Sequence, residues 1–286
     1  MICRFAPSPN GFLHLGHAYS ALMNARLARA HGGLLLLRIE DIDRERSKPE
    51  FEQAMREDLA WLGLDWPRPE RRQSEFFDAY RALLEKLLAR GLAYPCFCTR
   101  GAIAAKVVAD GARDPDGSPL YPGSCRDMSP GLRAQKIAAG EKFAVRLDMA
   151  RALAEIDRPL SYREFYEGET PQGMAARPEL WGDALIGRRD IPASYHLACV
   201  HDDSAQGVTD VMRGADLEAA TGLHVLLQAL LGLPTPDYRH HRLVLDEDGK
   251  KLAKSKGSTS LQALRDAGVT SEGVRAMLGE RMGTRF

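Results

Sequence analysis

Short apolar runs and helical stripes alternate along this chain from its first residues. Ile2 to Phe5 is an apolar run that predicts a buried first strand. Pro7, Pro9 and the Asn10-Gly11 pair then mark a tight turn. From His14 onward, Leu15, Ala18, Leu22 and Ala25 recur at helical spacing. Leu34 to Ile39 is continuously apolar save Arg38, the pattern of a strand covered on both faces, and it runs into Glu40-Asp41-Ile42-Asp43. Ser47-Lys48-Pro49-Glu50 reads as a capping box with proline in the first turn. It opens a helix striped by Phe51, Met55, Leu59 and Leu62 that stops at Gly63. Tyr80, Leu84, Leu87 and Leu88 predict a further helix over 76–90, ending at Gly91.

The second half continues the alternation. Phe143 to Leu147 reads as a strand, and 161–190 as a loop-rich stretch in which Trp181-Gly182-Asp183 and Arg188-Arg189-Asp190 wall a cleft. Tyr195 to Val200 and Val208 to Met212 predict two more buried strands, the first carrying Cys199 into the core as Ile2–Phe5 carries Cys3. Asp216 is the expected cap of a helix through Leu231. His241 to Leu245 reads as a strand followed by a hairpin turn, and 259–267 and 271–282 as two last helices. Strand and helix in this order predict an α/β fold with a parallel sheet.

With 286 residues, 44% hydrophobic and 27% charged, the chain can bury a sizeable core in one large domain or two smaller ones. Its 39 basic residues balance 39 acidic ones, so a nucleic-acid partner would be met by local patches. No stretch approaches about 18 uninterrupted apolar residues, and the start lacks a signal-peptide pattern, so a cytoplasmic location and no membrane partner are expected. Five cysteines argue against a disulfide framework and for a metal or inert thiols.

Chemistry concentrates at a few places. A strand, a glycine-containing turn and a helix start form an anion site, because unpaired backbone N–H groups and the helix dipole face the turn. His14 and His17, three apart, share one face of the first helical turn, where imidazoles can stabilise charge on a phosphate. Glu40 to Asp43 lie at a strand's carboxyl end, where ligands bind in open α/β sheets; Asp43 reads as a solvated loop acid. Cys96 and Cys98, with Tyr121 and Cys125 further on, offer three thiols and a phenol to a tetrahedral zinc, against the even alternative of buried free cysteines. Arg213, ending a strand, can fork onto a carboxylate, although a surface salt bridge is the commoner fate of such an arginine. Lys250 to Ser258 is a basic loop, solvated or poised over phosphates.

The run Arg-Phe-Ala-Pro-Ser-Pro-Asn-Gly-Phe-Leu-His-Leu-Gly-His, residues 4–17, resembles the opening signature of class I glutamyl-tRNA synthetases and their short paralogues. Leu-Arg-Ile-Glu-Asp-Ile-Asp, the Tyr195 to Asp203 run and the Val-Met-Arg-Gly-Ala-Asp-Leu run around Arg213 are similar to later parts of the same catalytic domain. Lys251-Leu252-Ala253-Lys254-Ser255 resembles the K-M-S-K-S loop, with Leu252 for Met and Ala253 for the first Ser; His201 stands where an apolar residue is expected. The short paralogues also carry C-x-C followed by Y-x-x-x-C.

The resemblance implies a Rossmann-like parallel sheet with a zinc-containing insertion and a small helical C-terminal segment. It divides the chain into 1–95 and 186–240 as halves of the catalytic domain, 96–185 as the insertion, and 241–286 as the segment with the K-M-S-K-S-like loop. It assigns catalysis to His14, His17 and Lys254, and ATP binding to these with Gly16 and Ser255. Arg4, Ala6, Ser8, Glu40, Tyr195 and Arg213 become the glutamate pocket, Arg4 and Arg213 taking the carboxylate end and Glu40 the ammonium. Cys96, Cys98, Tyr121 and Cys125 become the ligands of one structural zinc, and magnesium accompanies ATP. No residues remain for a helical anticodon-binding domain. That favours the short paralogues, which activate glutamate without tRNA and transfer it to queuosine at the wobble position of tRNA(Asp). A monomer is expected. The alternatives are a compact synthetase charging tRNA(Glu), a non-catalytic tRNA-binding paralogue and a small-molecule nucleotidyltransferase.

Overall fold

The computed structural model describes residues 1–107, 111–165, 170–246, 249, 252 and 259–284. β1 (Ile2–Phe5), α1 (Leu15–Ala30), β2 (Leu34–Ile39), α2 (Pro49–Trp61), β3 (Arg71–Arg72) and α3 (Phe77–Ala89) come first. β4 (Ala93–Cys96), α4 (Arg100–Ala104), α5 (Pro130–Ala138), β5 (Ala144–Leu147), α6 (Met149–Ala154), β6 (Ser161–Glu164), β7 (Gln172–Ala175) and β8 (Leu185–Gly187) follow. α7 (Tyr195–Ala205), β9 (Asp210–Gly214), α8 (Ala220–Leu231), β10 (Asp237–His241), α9 (Leu261–Asp266) and α10 (Ser271–Met282) complete the order.

Seven strands form one sheet in the order β3-β2-β1-β9-β10-β6-β7, parallel except for the antiparallel β6–β7 pair at the edge. From β1 the first half of the chain winds one way, through β2 and β3; the second half winds the other, through β9 and β10. The reversal leaves a crevice beyond the carboxyl ends of β1 and β9, the usual ligand site of such sheets. Asn24, wholly buried in α1, donates to Met212 O at 3.0 Å and so ties the first helix to β9.

One apolar cluster joins α1, β2 and α2 to the last helices through Leu22, Leu37, Leu59, Leu62, Val274 and Leu278. Another joins α3, α7 and α8 to a separate antiparallel sheet, β4-β5-β8, through Leu87, Leu147, Ile186, Leu197, Leu223 and Leu227. Among the described residues no helix is long and apolar enough to cross a membrane.

Several expectations need correction. The apolar run from Tyr195 is the helix α7 rather than a strand, so Cys199 is a helical core residue. A short apolar run does not separate a strand from a buried helix; the cap, Ser194, whose Oγ accepts from Leu197 N at 3.4 Å, was the local signal. Lys48 is the N-cap of α2 and offers no side-chain cap, so the box is absent although Pro49 opens the helix as expected. Asp216 sits in a 3-10 turn, Ala215–Leu217, and α8 starts four residues later with Ala219 as its N-cap. The strand expected at 241–245 is β10, set earlier by its in-register pairing with β9. Within 161–190, β6 and β7 return to the main sheet, so the 96–185 segment supplies two of its strands.

α8 is buried nearly all round, and Gly222 within it lets the backbone of a 3-10 turn, Pro178–Trp181, approach closely. A Cβ at Gly222 would lie 2.8 Å from Arg177 N and 3.0 Å from Arg177 C. Backbone cannot yield as a side chain tip can, so Gly222→Ala is expected to cost about 1–3 kcal/mol, measurable by urea unfolding.

Candidate active site

The two histidines of the opening turn are locked by their own backbone. His14 is the N-cap of α1 in extended conformation, and its Nδ1 accepts from Gly16 N at 3.1 Å. His17 Nδ1 in turn accepts from His14 N at 3.2 Å, and the two ring centroids lie 3.9 Å apart. With both Nδ1 atoms acting as acceptors, a neutral ring carries its proton on Nε2 in each case. Gly16 has no Cβ to press on the His14 ring, which would lie 3.0 Å from one. Leu261 N donates to Leu13 O at 2.7 Å, anchoring the start of α9 on this turn.

His14, Gly16 and His17 line a cavity of about 420 Å³ together with Arg4, Ala6, Ser8, Glu40, Tyr195 and Arg213. All the residues expected for glutamate are therefore brought together with the histidines and Gly16. Leu252 also lines it, whereas Lys254 and Ser255 lie outside the described residues. A neighbouring cavity of about 680 Å³ shares Ser8, Asn10, Glu40 and Tyr195, and extends past Trp181, Arg188 and His196.

Behind the first cavity lies a buried ion network. Arg4, near the carboxyl end of β1, pairs through Nε with Asp203 Oδ1 at 3.0 Å. Arg38 on β2 pairs through Nη1 with the same oxygen at 2.6 Å and through Nη2 with Glu40 Oε1 at 3.2 Å. Burial alone would raise the Asp203 carboxyl; the two guanidiniums outweigh it and bring the pKa down to about 2. Burial raises the Glu40 carboxyl against the opposing pull of Arg38 and Arg4. Cys199 lies among them, its Sγ 3.8 Å from Arg4 Nη2, and burial lifts its thiol to about 12. It is a packing residue with no thiolate to offer, and Cys3, lifted to about 11, is another.

The remaining acids are structural. Asp41 accepts from Ser74 N at 2.9 Å and pairs with Arg72 Nη1 at 2.8 Å. Asp43, expected to be solvated, pairs with Arg46 and Arg188 at 2.8 and 3.2 Å. His201 sets Nδ1 2.9 Å from Asp202 Oδ1 and its ring edge-on to Tyr80.

At the end of β4, Cys96, Cys98 and Cys125 hold their Sγ atoms within 4.8 Å of one another. Cys98 Sγ is 3.5 Å from Cys125 Sγ and 3.4 Å from Tyr121 Oη, and Arg146 covers the Tyr121 ring at 4.0 Å. Ligands about 2.3 Å from a tetrahedral zinc stand roughly 3.8 Å apart, so the donor set fits a metal.

Sequence reasoning passed over Arg38 and Asp203 as functional residues. The signal was present: Arg4 and Arg38 each interrupt an apolar run, and a cation in a buried strand requires an anion. It also passed over His224, His240 and Glu164, which surround Arg213.

The profile of class I tRNA synthetases (E and Q), catalytic domain, matches residues 1–285. A Rhodobacter capsulatus protein, glutamyl-Q tRNA(Asp) synthetase, is 46% identical over 98% of this chain and 100% of its own. An Aquifex aeolicus glutamate–tRNA ligase is 38% identical over 94% of this chain and 54% of its own. The crystal structure of a glutamate tRNA ligase from Elizabethkingia meningosepticum, in complex with its amino acid, superposes with a TM-score of 0.71 at 28% identity, over 90% of this chain. The chain spans about half of that ligase, 52%.

Removing the shared anion leaves buried Arg4 without its carboxylate partner and Arg38 with Glu40 alone, so Asp203→Asn is expected to lower stability by about 3–5 kcal/mol. Because its folded pKa lies below the usual unfolded value of about 3.9, Asp203 stabilises the fold above that pH and loses its contribution as pH falls from about 4 toward 2. Urea unfolding at pH 7 and at steps down to pH 2 should show the gap between the two proteins narrowing over that window.

Proposed function

The chain belongs to the class I glutamyl- and glutaminyl-tRNA synthetase catalytic family, and we propose that it activates glutamate with ATP and passes it to queuosine at the wobble position of tRNA(Asp). The observation that carries this reading is the 46% identity with a glutamyl-Q tRNA(Asp) synthetase along that protein's entire length. The gathering of the expected glutamate residues around one cavity with His14, Gly16 and His17 supports it.

In the first step an oxygen of glutamate's α-carboxylate attacks the α-phosphorus of ATP. The bond to the bridging oxygen breaks, and pyrophosphate leaves with its electrons. Arg213 and Arg4 hold the carboxylate end of glutamate and Glu40 its ammonium, while Ala6, Ser8 and Tyr195 complete the pocket. Tyr195 Oη lies 3.5 Å from Arg213 Nη1, so the phenol and the guanidinium present one surface. The Nε2–H groups of His14 and His17 face the charge that develops on the phosphate, and Gly16 leaves the N-terminus of α1 open to it. The role of neutralising the leaving pyrophosphate falls to Lys254 and Ser255, and magnesium would accompany the nucleotide. No tRNA is needed for this step. In the second, a hydroxyl of the queuosine cyclopentene ring attacks the activated carbonyl, and AMP leaves.

Cys96, Cys98 and Cys125, with Tyr121 beside Cys98, would hold one structural zinc next to the larger cavity that Tyr121 and Arg146 line. The protein acts as a cytoplasmic monomer.

Labelled glutamate and ATP offered to tRNA(Asp) with and without queuosine, and to tRNA(Glu), test the acceptor. Label confined to the queuosine nucleoside is the expected result; label on the terminal adenosine of tRNA(Glu) makes the protein a compact aminoacyl-tRNA synthetase instead. Protein purified without chelator should carry one zinc per chain, lost in Cys98→Ser with a fall in thermal stability. Metal content well below stoichiometry would remove zinc from the account.

A further inference from the structure

Arg213 does not stand alone in the pocket wall. Its Nε donates to His240 Nε2 at 3.3 Å, its Nη1 lies 3.3 Å from His224 Nδ1, and its Nη2 donates to Thr221 Oγ1 at 2.7 Å. A guanidinium has five donors and no acceptor, so both imidazole nitrogens facing it must be bare lone pairs. The tautomers follow. His240 keeps its proton on Nδ1, which reaches Glu164 Oε1 at 2.7 Å. His224 keeps its proton on Nε2, which reaches His196 Nδ1 at 3.2 Å. Thr221 accepts from Arg213, and its own hydroxyl points 3.1 Å to His240 Nε2, again requiring a lone pair there. One proton arrangement satisfies the set, with the single lone pair of His240 Nε2 shared between Arg213 Nε at 3.3 Å and the Thr221 hydroxyl at 3.1 Å.

The set is also buried. His224 is 1% exposed, and the side chains of His240 and Glu164 are 1% and 0% exposed. Burial together with the neighbouring Arg213 charge depresses His240 to about 3 and His196 to about 4. The imidazoles are thus neutral beside a cation and shielded from bulk solvent.

We propose that His224 and His240 are positioning residues for Arg213: neutral acceptors that hold its guanidinium in one orientation, with Glu164 fixing the His240 tautomer, so that the pocket meets the carboxylate end of glutamate with a preset fork. An arginine side chain has several freely turning bonds, and holding it before the substrate arrives removes an ordering cost from binding. With three of the five donors engaged by His240, His224 and Thr221, two are left for a carboxylate, one of them 3.5 Å from Tyr195 Oη. This inference rests on the reading of Arg213 as a glutamate anchor.

The test combines kinetics with a measurement on the unaltered protein. In glutamate-dependent pyrophosphate exchange, His224→Leu leaves a buried donor of Arg213 unpaired and should raise KM for glutamate roughly 10- to 100-fold. KM for ATP should stay within about twofold. His224→Gln, whose amide offers an acceptor to Arg213 and a donor to His196, should recover most of that loss. A merely structural role predicts that glutamate and ATP suffer alike and that Gln does not rescue. Independently of whether any variant folds, ¹⁵N-labelled histidine spectra at neutral pH should show His224 protonated on Nε2 and His240 on Nδ1. Either opposite tautomer, or an imidazolium at either position, overturns the proposal. Absence of exchange in the unaltered protein would overturn the glutamate reading itself and the role given to Arg213, while the spectra would still decide the proton arrangement.

Discussion

Two arginines in adjacent parallel strands sharing one carboxylate is the constraint on which the rest of the site depends. Arg4 and Arg38 lie in the interior of the sheet, and a lone cation there is prohibitively unfavourable. Asp203 reaches them from α7, so the helix, the two strands and the turn that follows β1 are bound by one charge centre. Arg38 also fixes Glu40. A site that must recognise an amino acid, with opposite charges at its two ends, needs fixed charges of both signs at the pocket wall. A neutralised cluster behind the wall allows this without leaving any one of them unpaired.

How far the sequence disclosed this depends on the kind of signal. Parallel strands buried on both faces read as uninterrupted apolar runs, so Ile2–Phe5 and Leu34–Ile39 were legible, as were the stripes of α2 and α3 with their terminal glycines. The same logic misled at Tyr195–Val200, because α7 is enclosed on all sides and so loses the polar stripe that identifies a surface helix. The glutamate and ATP residues that the resemblance named and the structure describes line one cavity, alongside others it did not name, such as Asn10, Asp216 and His241. Those behind the cavity, Asp203, His224, His240 and Glu164, meet the site arginines and one another from elements distant in sequence, and no local pattern announces such contacts. Arg38, like Arg4, carried a visible anomaly, a charge inside an apolar run.

The first cavity thus has two kinds of wall. On one side, backbone N–H groups hold the imidazoles of His14 and His17, so their orientation is a property of the single turn His14 to His17. On the other, Arg213 is framed by residues from β6, α8 and β10, and its orientation is a property of the whole tertiary structure. The thiol cluster at the end of β4 follows the same division, Cys96 and Cys98 being local to each other and Tyr121 and Cys125 arriving from a later segment.

The reversal of winding at β1 has a temporal side. β1 is made first, yet one of its two neighbours is β9, and Ile2 N reaches Thr209 Oγ1 across 207 positions. Contacts of such separation close late, since the entropy of a long loop must be overcome before they contribute anything. During synthesis the opening turn with its histidines can therefore form early, but the crevice beside it has no second wall until most of the chain has emerged. The first cavity is thus among the last features of the molecule to be completed, since its walls come from both halves of the chain.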